Sequence, residues 1–168
     1  MNCYRISKYN PEFRDENGIY TQEDWTSVSD IGRVFNGEKL TKEEYLRTEN
    51  SYVNAVKTIL TENNASKLLI DGLETYYDNT DVSALSFDES ELLAEIKNTM
   101  YVNKDKLELL IRMALREYLW CKLKSERVEI EFGYDYYMYI KCAEIKLEIV
   151  QKLFYDGIFV EHHLERED

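Results

Sequence analysis

Hydrophobic residues in the middle of the chain recur at helical spacing. Residues 104–125 read KDKLELLIRMALREYLWCKLKS, and at about 100° per residue they form two apolar sectors on roughly opposite sides of a helix. The first sector contains Leu107, Leu110, Ile111, Ala114, Tyr118 and Cys121, and the second contains Leu109, Met113 and Trp120. The polar face between them contains Lys104, Asp105, Glu108, Arg112 and Arg116, and is interrupted by Leu115, Leu119 and Leu123. A helix that is apolar on two sides must be covered on two sides, so residues 104–125 are predicted to be the central helix.

Three other segments are predicted to be helical. Thr41 and Glu44 form a capping box that opens a helix through about residue 62, and Ser86 and Glu89 open another through about residue 100. Residues 143–155 carry apolar side chains at helical spacing, and Gly157 provides a stop. The predicted buried positions are Tyr45, Tyr52, Val53, Val56, Ile59 and Leu60 in the first helix, Leu92, Leu93 and Ile96 in the second, and Ile145, Leu147, Ile149, Val150, Leu153 and Phe154 in the third.

Alternating polar and apolar residues predict strands at both ends of the chain. Residues 2–9 alternate, residues 67–71 form a strand or a buried turn, and residues 128–140 form a hairpin. In the hairpin, a three-residue loop at 133–135 pairs Phe132 with Tyr136 and keeps one face apolar, which a one-residue slip would prevent. That register also pairs Ile130 with Met138 and Val128 with Ile140. Residues 158–160 are predicted to be a last strand that joins the hairpin.

The predicted elements give an α+β fold with about four helices packed on a small, mainly antiparallel sheet that contains the C-terminal hairpin. Residues 10–24 are expected to be an ordered loop, and residues 25–31 either a strand or a short helical turn. A chain of 168 residues fits one domain spanning 1–168, and a domain of that size buries roughly 70% of its unfolded-chain surface.

Charge and cysteine content narrow the possible partners and compartment. The formal net charge is −12, which disfavours binding to a nucleic-acid backbone or an anionic membrane and favours a cationic protein partner. Three widely spaced cysteines are typical of neither a disulfide framework nor a zinc site, and they indicate a reducing, cytoplasmic environment. We expect no membrane span, no cofactor and no metal.

The negative charge is concentrated in residues 62–95, which contain nine acidic residues and one basic residue, Lys67. Asp78, Asp81 and Glu89 of this stretch are candidate partner-binding residues. An ordinary solvated helix face and loop would account for the same charge.

The outer face of the predicted hairpin supplies further candidates, namely Glu129, Glu131, Tyr137 and Tyr139. Tyrosine has a large contact area and is favoured at protein interfaces. Burial of this face under another helix would instead make the two tyrosines core residues.

Motifs of catalysis are missing from the sequence. It has no phosphate-binding glycine motif and no nucleophile elbow, and the adjacent His162 and His163 point to opposite faces of a strand, where they chelate poorly. We expect no catalytic residue. The N-terminal loop offers an alternative ligand site around Arg14, Asp24, Trp25 and Asp30.

The sequence leaves three functions of different classes open. The first is a cytoplasmic protein-binding module, most concretely a bacterial immunity protein or inhibitor that neutralises a basic, nucleic-acid-acting toxin or defence enzyme. The second is a small-molecule enzyme or ligand sensor that uses the loop around Trp25. The third is a structural subunit of a larger assembly. A deep pocket that gathers the four loop residues would favour the second, and a flat acidic face would favour the first.

Overall fold

The computed structural model describes residues 1–76 and 85–163. The helices are α1 (Lys42–Glu62), α2 (Phe87–Glu95), α3 (Lys104–Leu115) and α4 (Leu147–Tyr155). The strands are β1 (Asn2–Ser7), β2 (Val34–Phe35), β3 (Glu38–Lys39), β4 (Leu68–Thr75), β5 (Tyr101–Val102), β6 (Leu119–Lys124), β7 (Glu129–Phe132), β8 (Met138–Cys142) and β9 (Phe159–His162). Short 3-10 helices span Pro11–Phe13 and Val28–Asp30. The predicted α+β class with four helices is confirmed.

Seven of these strands form one sheet in the order β5-β4-β6-β7-β8-β1-β9, and neighbouring strands pair antiparallel. The N-terminal strand β1 lies between β8 and β9, so the sheet joins both ends of the chain. Strands β2 and β3 form a separate two-stranded ribbon. The predicted last strand therefore joins the sheet that contains the hairpin, but it pairs with β1 and not with either hairpin strand.

The two faces of the sheet differ in burial. On β6, β7 and β8 alternate residues are buried, and the residues between them are only half-buried. The buried set, all 4% exposed or less, comprises Tyr4, Ile6, Ile70, Leu119, Cys121, Leu123, Ile130, Phe132, Met138, Ile140 and Cys142. Helix α3 contacts β6 and α1, and α1 also contacts α4. The inner face of the sheet and the helices thus enclose the core, while the outer face stays accessible.

The predicted central helix is correct only in its first half. Helix α3 ends at Leu115, Glu117 adopts a left-handed backbone (φ 60°), and β6 begins at Leu119. The Tyr118 N–H donates to the Met113 carbonyl (2.9 Å), which closes the helix end. Beyond this point the side chains alternate between the two faces of the sheet, because β6 is bonded on both sides, to β4 and β7. The prediction of a helix through residue 125 is therefore wrong.

The hairpin has the predicted buried face but a different register. Ile130 pairs with Ile140 and Phe132 with Met138, so the loop comprises residues 133–137. Relative to the prediction the pairing is shifted by two residues. A shift of two preserves which side chains face inward, since side chains alternate with a period of two. The loop is longer because Tyr136 leaves the ladder and enters the core, where it is 5% exposed.

The remaining helices confirm most of the predicted burial. Every predicted buried position of α1 is 3% exposed or less, and Leu92 and Ile96 are also buried. Helix α2 ends at Glu95, earlier than predicted, because the chain enters β5 at Tyr101. In α4, Leu147 and Phe154 are 70% and 56% exposed, so their predicted burial is wrong. No helix in the described residues is both long and apolar enough to cross a bilayer.

Candidate functional site

A groove of about 980 Å³ lies at one end of the outer face of the sheet. Its aromatic lining outside the core consists of Tyr76, Trp120, Tyr134, Tyr137 and Tyr139, and its acidic lining of Glu74, Glu117, Glu131 and Asp135. Phe132 also borders the groove, although its side chain is buried in the core. Ala114, Leu119 and Gly133 complete it. We call this the aromatic groove. The four other principal depressions formed by described residues each include at least one lysine or arginine, whereas the aromatic groove includes none.

A bulge in β4 places Glu74 in the groove. Leu68 and Ile70 face the core, and strict alternation would turn Glu74 inward as well. The register of β4 against β6 shifts between Asp71 and Glu74, so that Glu74 pairs with the outward-facing Trp120. Gly72 lies at the bulge with φ 65°, and a side chain there would contact the Trp120 ring at 3.3 Å. The bulge therefore redirects a carboxylate to the outer face.

Gly133 forms the floor between the aromatic walls. A Cβ atom at this position would lie 2.9 Å from Cε2 of Tyr139, closer than real Cβ contacts allow. The Tyr139 ring thus lies directly against the backbone of the hairpin loop. On the other side, the Trp120 indole N–H donates to the Phe132 carbonyl (2.7 Å), which fixes the orientation of the ring. Both rings are held before any ligand arrives.

The loop at the rim of the groove is fixed by a buried tyrosine. Asp135 and Tyr136 both adopt left-handed backbone conformations (φ 56° and 63°), which non-glycine residues rarely adopt. The Tyr136 ring packs against Trp25 and Tyr52, with ring centroids 4.9 and 5.1 Å apart. Burial of this ring offsets the backbone cost. The same loop leaves Tyr134 91% exposed at the rim.

Hydrogen bonds connect this loop to the helices. The Tyr136 hydroxyl donates to the Tyr45 hydroxyl (2.9 Å), which donates to Oε1 of Glu49 (3.3 Å). The Tyr52 hydroxyl donates to the Tyr136 carbonyl (2.6 Å). The Tyr9 hydroxyl donates to the Asp135 carbonyl (2.6 Å). The loop is therefore bound from three directions, and its exposed side chains project from a rigid base.

The carboxylates of the groove are only partly neutralised. Glu131 forms an ion pair with Lys122 (2.8 Å), and Glu74 accepts a hydrogen bond from the Tyr76 hydroxyl (2.8 Å). Glu117 and Asp135 have no ion-pair partner among the described residues. Unpaired carboxylates beside aromatic rings are suited to bind a cationic group, through charge and through the faces of the rings.

The predicted partner-binding residues divide into three groups. Glu131, Tyr137 and Tyr139 come together in the aromatic groove, and Glu129 lies on the same face of the sheet, 3.9 Å from Lys141. Asp78 and Asp81 lie outside the described residues. Tyr137 and Tyr139 are half-buried, and Tyr137 is covered by the N-terminal loop instead of a helix, with Tyr9 at 5.0 Å between ring centroids.

Glu89 does not have the solvated carboxylate that its sequence position predicts. Its side chain accepts a hydrogen bond from the Ser86 N–H (2.8 Å), which completes the predicted capping box of α2. It also forms an ion pair with Arg116 (2.8 Å) and is 5% exposed. The carboxylate is therefore used inside the fold, and Glu89 is not part of the groove.

The alternative ligand residues do not converge on one pocket. Trp25 is 5% exposed in the aromatic core, and Asp30 accepts hydrogen bonds from the Thr26 and Ser27 N–H groups of its own turn. Asp24 and Trp25 line a depression of about 380 Å³ that includes neither Arg14 nor Asp30. Within residues 25–31 a short 3-10 helix spans Val28–Asp30, so the helical turn is the correct one of the two alternatives open from the sequence.

Arg14 lies instead on the outer face of the sheet, in a cluster with Arg5, Tyr137 and Glu161. Both guanidinium groups form two hydrogen bonds to Glu161, at 2.8–3.1 Å. Their carbon atoms lie 5.6 and 5.5 Å from the centroid of the Tyr137 ring. Burial alone would raise the pKa of Glu161, but hydrogen bonds from both arginines outweigh it and leave that pKa lowered. This cluster attaches the N-terminal loop to the sheet.

Lys8 occupies an aromatic cage that the sequence did not reveal. Its Nζ lies 4.3 Å from the Tyr9 ring centroid and 4.2 Å from that of Trp25. It forms an ion pair with Asp24 (2.6 Å), but it makes no hydrogen bond of regular geometry among the described residues. Burial lowers the pKa of Lys8 from 10.5 to about 8. Burial of the charged ammonium group therefore costs free energy.

Sequence analysis also missed Glu49, Glu74, Glu117 and Tyr134. Glu49 falls inside the predicted apolar stripe of α1, where a charged residue indicates a buried ion pair, so a signal was present. The others become neighbours only through the β4 bulge and the end of α3. No group of metal-binding side chains occurs within the described ranges. The chain matches no protein-family model, no curated protein and no solved structure.

Proposed function

We propose that this protein is an acidic binding module that holds a cationic protein in the aromatic groove. The observation that carries the proposal is the groove's lining, which combines five aromatic residues outside the buried core with four carboxylates, of which only Glu131 has an ion-pair partner among the described residues. Interfaces concentrate their binding energy in buried aromatic and charged anchors, and tyrosine and tryptophan are the commonest of these. Complementary charge adds a faster association rate.

Rigidity of the groove supports a role in binding. Tyr136 anchors the rim loop in the core, and the Trp120 indole is hydrogen-bonded to the backbone. A surface that is already ordered loses little conformational entropy when a partner binds. The exposed Tyr134 can therefore act as an anchor without the ordering cost of a flexible loop.

The concrete form of the proposal is an inhibitor of the immunity-protein type, acting in the bacterial cytoplasm on a toxin or defence enzyme that binds nucleic acid. Such an enzyme has a basic surface that receives phosphate groups. An acidic groove with aromatic rings competes for that surface, because carboxylates replace phosphates and rings replace bases. The formal charge of −12 gives long-range attraction to the same target.

The small-molecule alternative has less support. Arg14, Asp24 and Asp30 are each occupied by an internal ion pair, with Glu161, Lys8 and Arg33 respectively. Trp25 is enclosed by other aromatic rings. These contacts account for the loop residues without a ligand.

Two charge-matched variants test the proposal. The groove variant carries Glu74→Gln, Glu117→Gln, Glu131→Gln and Asp135→Asn. The control variant carries Glu16→Gln, Glu43→Gln, Glu126→Gln and Glu148→Gln, four exposed positions outside the groove. Both raise the formal net charge from −12 to −8, because four acids are neutralised in each.

The partner for the assay is a basic protein that is purified from host extract by its binding to the immobilised chain. The association rate of this partner is then measured with wild type and with both variants. We expect the groove variant to associate at least roughly tenfold more slowly at low salt and the control variant to differ little from wild type. Near 1 M salt, where the Debye length is about 3 Å, the difference should shrink. Equal effects of the two variants would show that only net charge matters and would refute the proposed site.

A further inference from the structure

The aromatic groove has the components of a guanidinium site. Trp120 pairs across the strands with Glu74, and Tyr139 pairs with Glu131, so each ring stands beside a carboxylate on the outer face. Directly paired side chains have Cβ atoms about 5 Å apart. A flat cation lying on either ring can therefore reach a carboxylate at its edge.

The protein itself shows how this sheet face binds a guanidinium. Next to the groove, Arg5 and Arg14 both lie over Tyr137 and both form paired hydrogen bonds to Glu161. Ring face and carboxylate edge together hold each arginine. Tyr137 also lines the groove, so the internal cluster and the open groove share a wall. The groove presents the same kinds of side chain without an arginine of its own. The cation beside them is Lys122, whose Nζ lies 2.8 Å from Glu131 and 6.0 Å from the Trp120 ring centroid.

A lysine is less suited than an arginine to a site made of aromatic rings and a carboxylate, and Lys8 shows the reason. Enclosed by Tyr9 and Trp25, its ammonium group has a pKa lowered to about 8, because burial removes its water. The Arg14 side chain is only 7% exposed, yet the hydrogen bonds that it donates to Tyr137 and Glu161 outweigh the effect of burial and leave its pKa raised. A guanidinium is more weakly hydrated than an ammonium group, stacks on rings and binds a carboxylate with two hydrogen bonds.

We propose that the aromatic groove binds an arginine side chain of the cationic partner, stacked between Trp120 and Tyr139 with its guanidinium facing Glu131 and Glu74. This inference rests on the proposed function and adds the identity of the residue recognised. Tyr134 at the rim covers the aliphatic part of the arginine. The partner thus contributes an exposed arginine that its own fold leaves unpaired.

Two fluorescein-labelled peptides test the inference by fluorescence anisotropy at low salt. One contains two arginines and the other two lysines, in both cases between glycine and serine residues. Equal peptide charge removes the contribution of net attraction. We expect the arginine peptide to bind roughly tenfold tighter than the lysine peptide.

Two exposed tyrosines provide a matched pair of variants. Tyr134 is 91% exposed in the groove, and Tyr155 is 86% exposed on α4, so replacing either by alanine leaves the core unchanged. Tyr134→Ala should weaken binding of the arginine peptide several-fold, and Tyr155→Ala should not. Gly133→Ala, which displaces the Tyr139 ring, should also weaken binding.

The outcomes separate this inference from the proposed function. Equal affinity for both peptides, or arginine binding that survives Tyr134→Ala and Gly133→Ala, would overturn the arginine site. If neither peptide binds while the charge-neutralised groove variant still slows the protein partner, the arginine site fails and the proposed function stands. If the partner is indifferent to that variant, both fail.

Discussion

Glu49 lies inside the fold with no solvent exposure and forms ion pairs with Arg112 of α3 and with Arg116, the residue that follows this helix. Its Oε2 accepts a hydrogen bond from Arg112 Nη1 (2.7 Å), and its two oxygens accept from Nε (2.6 Å) and Nη2 (2.8 Å) of Arg116. Hydrogen bonds to Glu49 are the main reason that the pKa of Arg116 is raised. We predict that Glu49→Gln, which removes the charge and keeps the shape, strongly destabilises the protein.

The size of the loss follows from the burial of the three partners. Removing one member of a buried ion pair costs about 3–5 kcal/mol, because the other charge is left uncompensated. The Arg112 and Arg116 side chains are 20% and 21% exposed and keep ion pairs with Glu108 and Glu89, so water and these carboxylates compensate part of their charge. We therefore expect the lower end, about 3 kcal/mol. For a domain of this length that is a decrease in melting temperature of roughly 6–12 °C.

Glu44→Gln on the same helix is the control. Its side chain is 44% exposed, and its nearest arginine nitrogen, on Arg47, lies 3.9 Å away. Exposed pairs of this kind contribute about 0.5 kcal/mol or less. Urea unfolding and thermal melting of both variants, at neutral pH and equal salt concentration, give the comparison directly.

A loss below about 1 kcal/mol for Glu49→Gln, or one equal to that of Glu44→Gln, would refute the reasoning. It would mean that solvent satisfies the arginines and that α1 and α3 are held by apolar packing alone. A rise in salt concentration should change the Glu49→Gln loss little, because buried pairs are weakly screened.

Three further perturbations test the core, the hairpin and the caged lysine. Leu110→Ala should cost about 2–5 kcal/mol in urea unfolding, because Leu110 is completely buried and a cavity remains; a loss below about 0.5 kcal/mol would place α3 at the surface. Ile130→Asp should unfold the protein by circular dichroism, since it buries an unpaired carboxylate, whereas Glu129→Lys on the outer face should be tolerated; the reverse order would contradict the assigned faces. Burial of protonated Lys8 destabilises the fold; this cost is fully present below pH 8 and disappears as the pH rises toward 10.5. The free energy of unfolding of wild type should therefore rise by about 3 kcal/mol relative to that of Lys8→Met across this range. Parallel curves of stability against pH for the two proteins would exclude a lowered pKa.

Local signals were enough to predict α1 from the sequence. Thr41 accepts a hydrogen bond from the Glu44 N–H (3.1 Å), as the capping pattern predicts. The apolar stripe that follows has a helical period and is buried throughout. Both signals act within a few residues of one another, so they do not depend on the rest of the fold.

The boundary between α3 and β6 could not be found in the same way. The apolar residues of 104–125 recur with a helical period, and those beyond Tyr118 also fit the period of two that is typical of a strand. The helix ends at Leu115, and the left-handed residue that follows it is Glu117. Glycine or asparagine, the usual signals of a helix end, is absent there. Leu119 and Leu123 were anomalous on the predicted polar face, and in the structure both face the core from β6. The segment forms a strand because it pairs with β7 and with β4, and β4 is distant in the sequence.

The hairpin loop illustrates a second non-local effect. Sequence alternation correctly identified which side chains face inward, because any even shift in register preserves the faces. The length of the loop depends on the Tyr136 ring, which leaves the strand to pack on Tyr45 and Tyr52 of α1. Those contacts join residues more than 80 positions apart, so no local pattern contains them.

Counting acidic residues along the chain does not show which carboxylates stay unpaired, because charge is neutralised in three dimensions. Glu89 belongs to the acidic stretch at 62–95, yet Arg116 neutralises it. The depression beside α2 includes Asp88 and Glu91, but its lining also contains two lysines and an arginine and no aromatic ring.

On the outer face of the sheet, most charges are paired within the face. The pairs are Lys124 with Asp71, Lys122 with Glu131, Lys141 with Glu129, and both Arg5 and Arg14 with Glu161. What remains at the end near the hairpin loop is Glu74, Glu117 and Asp135, three carboxylates without an ion-pair partner among the described residues, around rings that the fold already holds in place. Repulsion among these carboxylates is a cost to folding. A cationic partner removes that cost on binding, so binding at this end should stabilise the protein more than the same partner would at a self-neutralised part of the face.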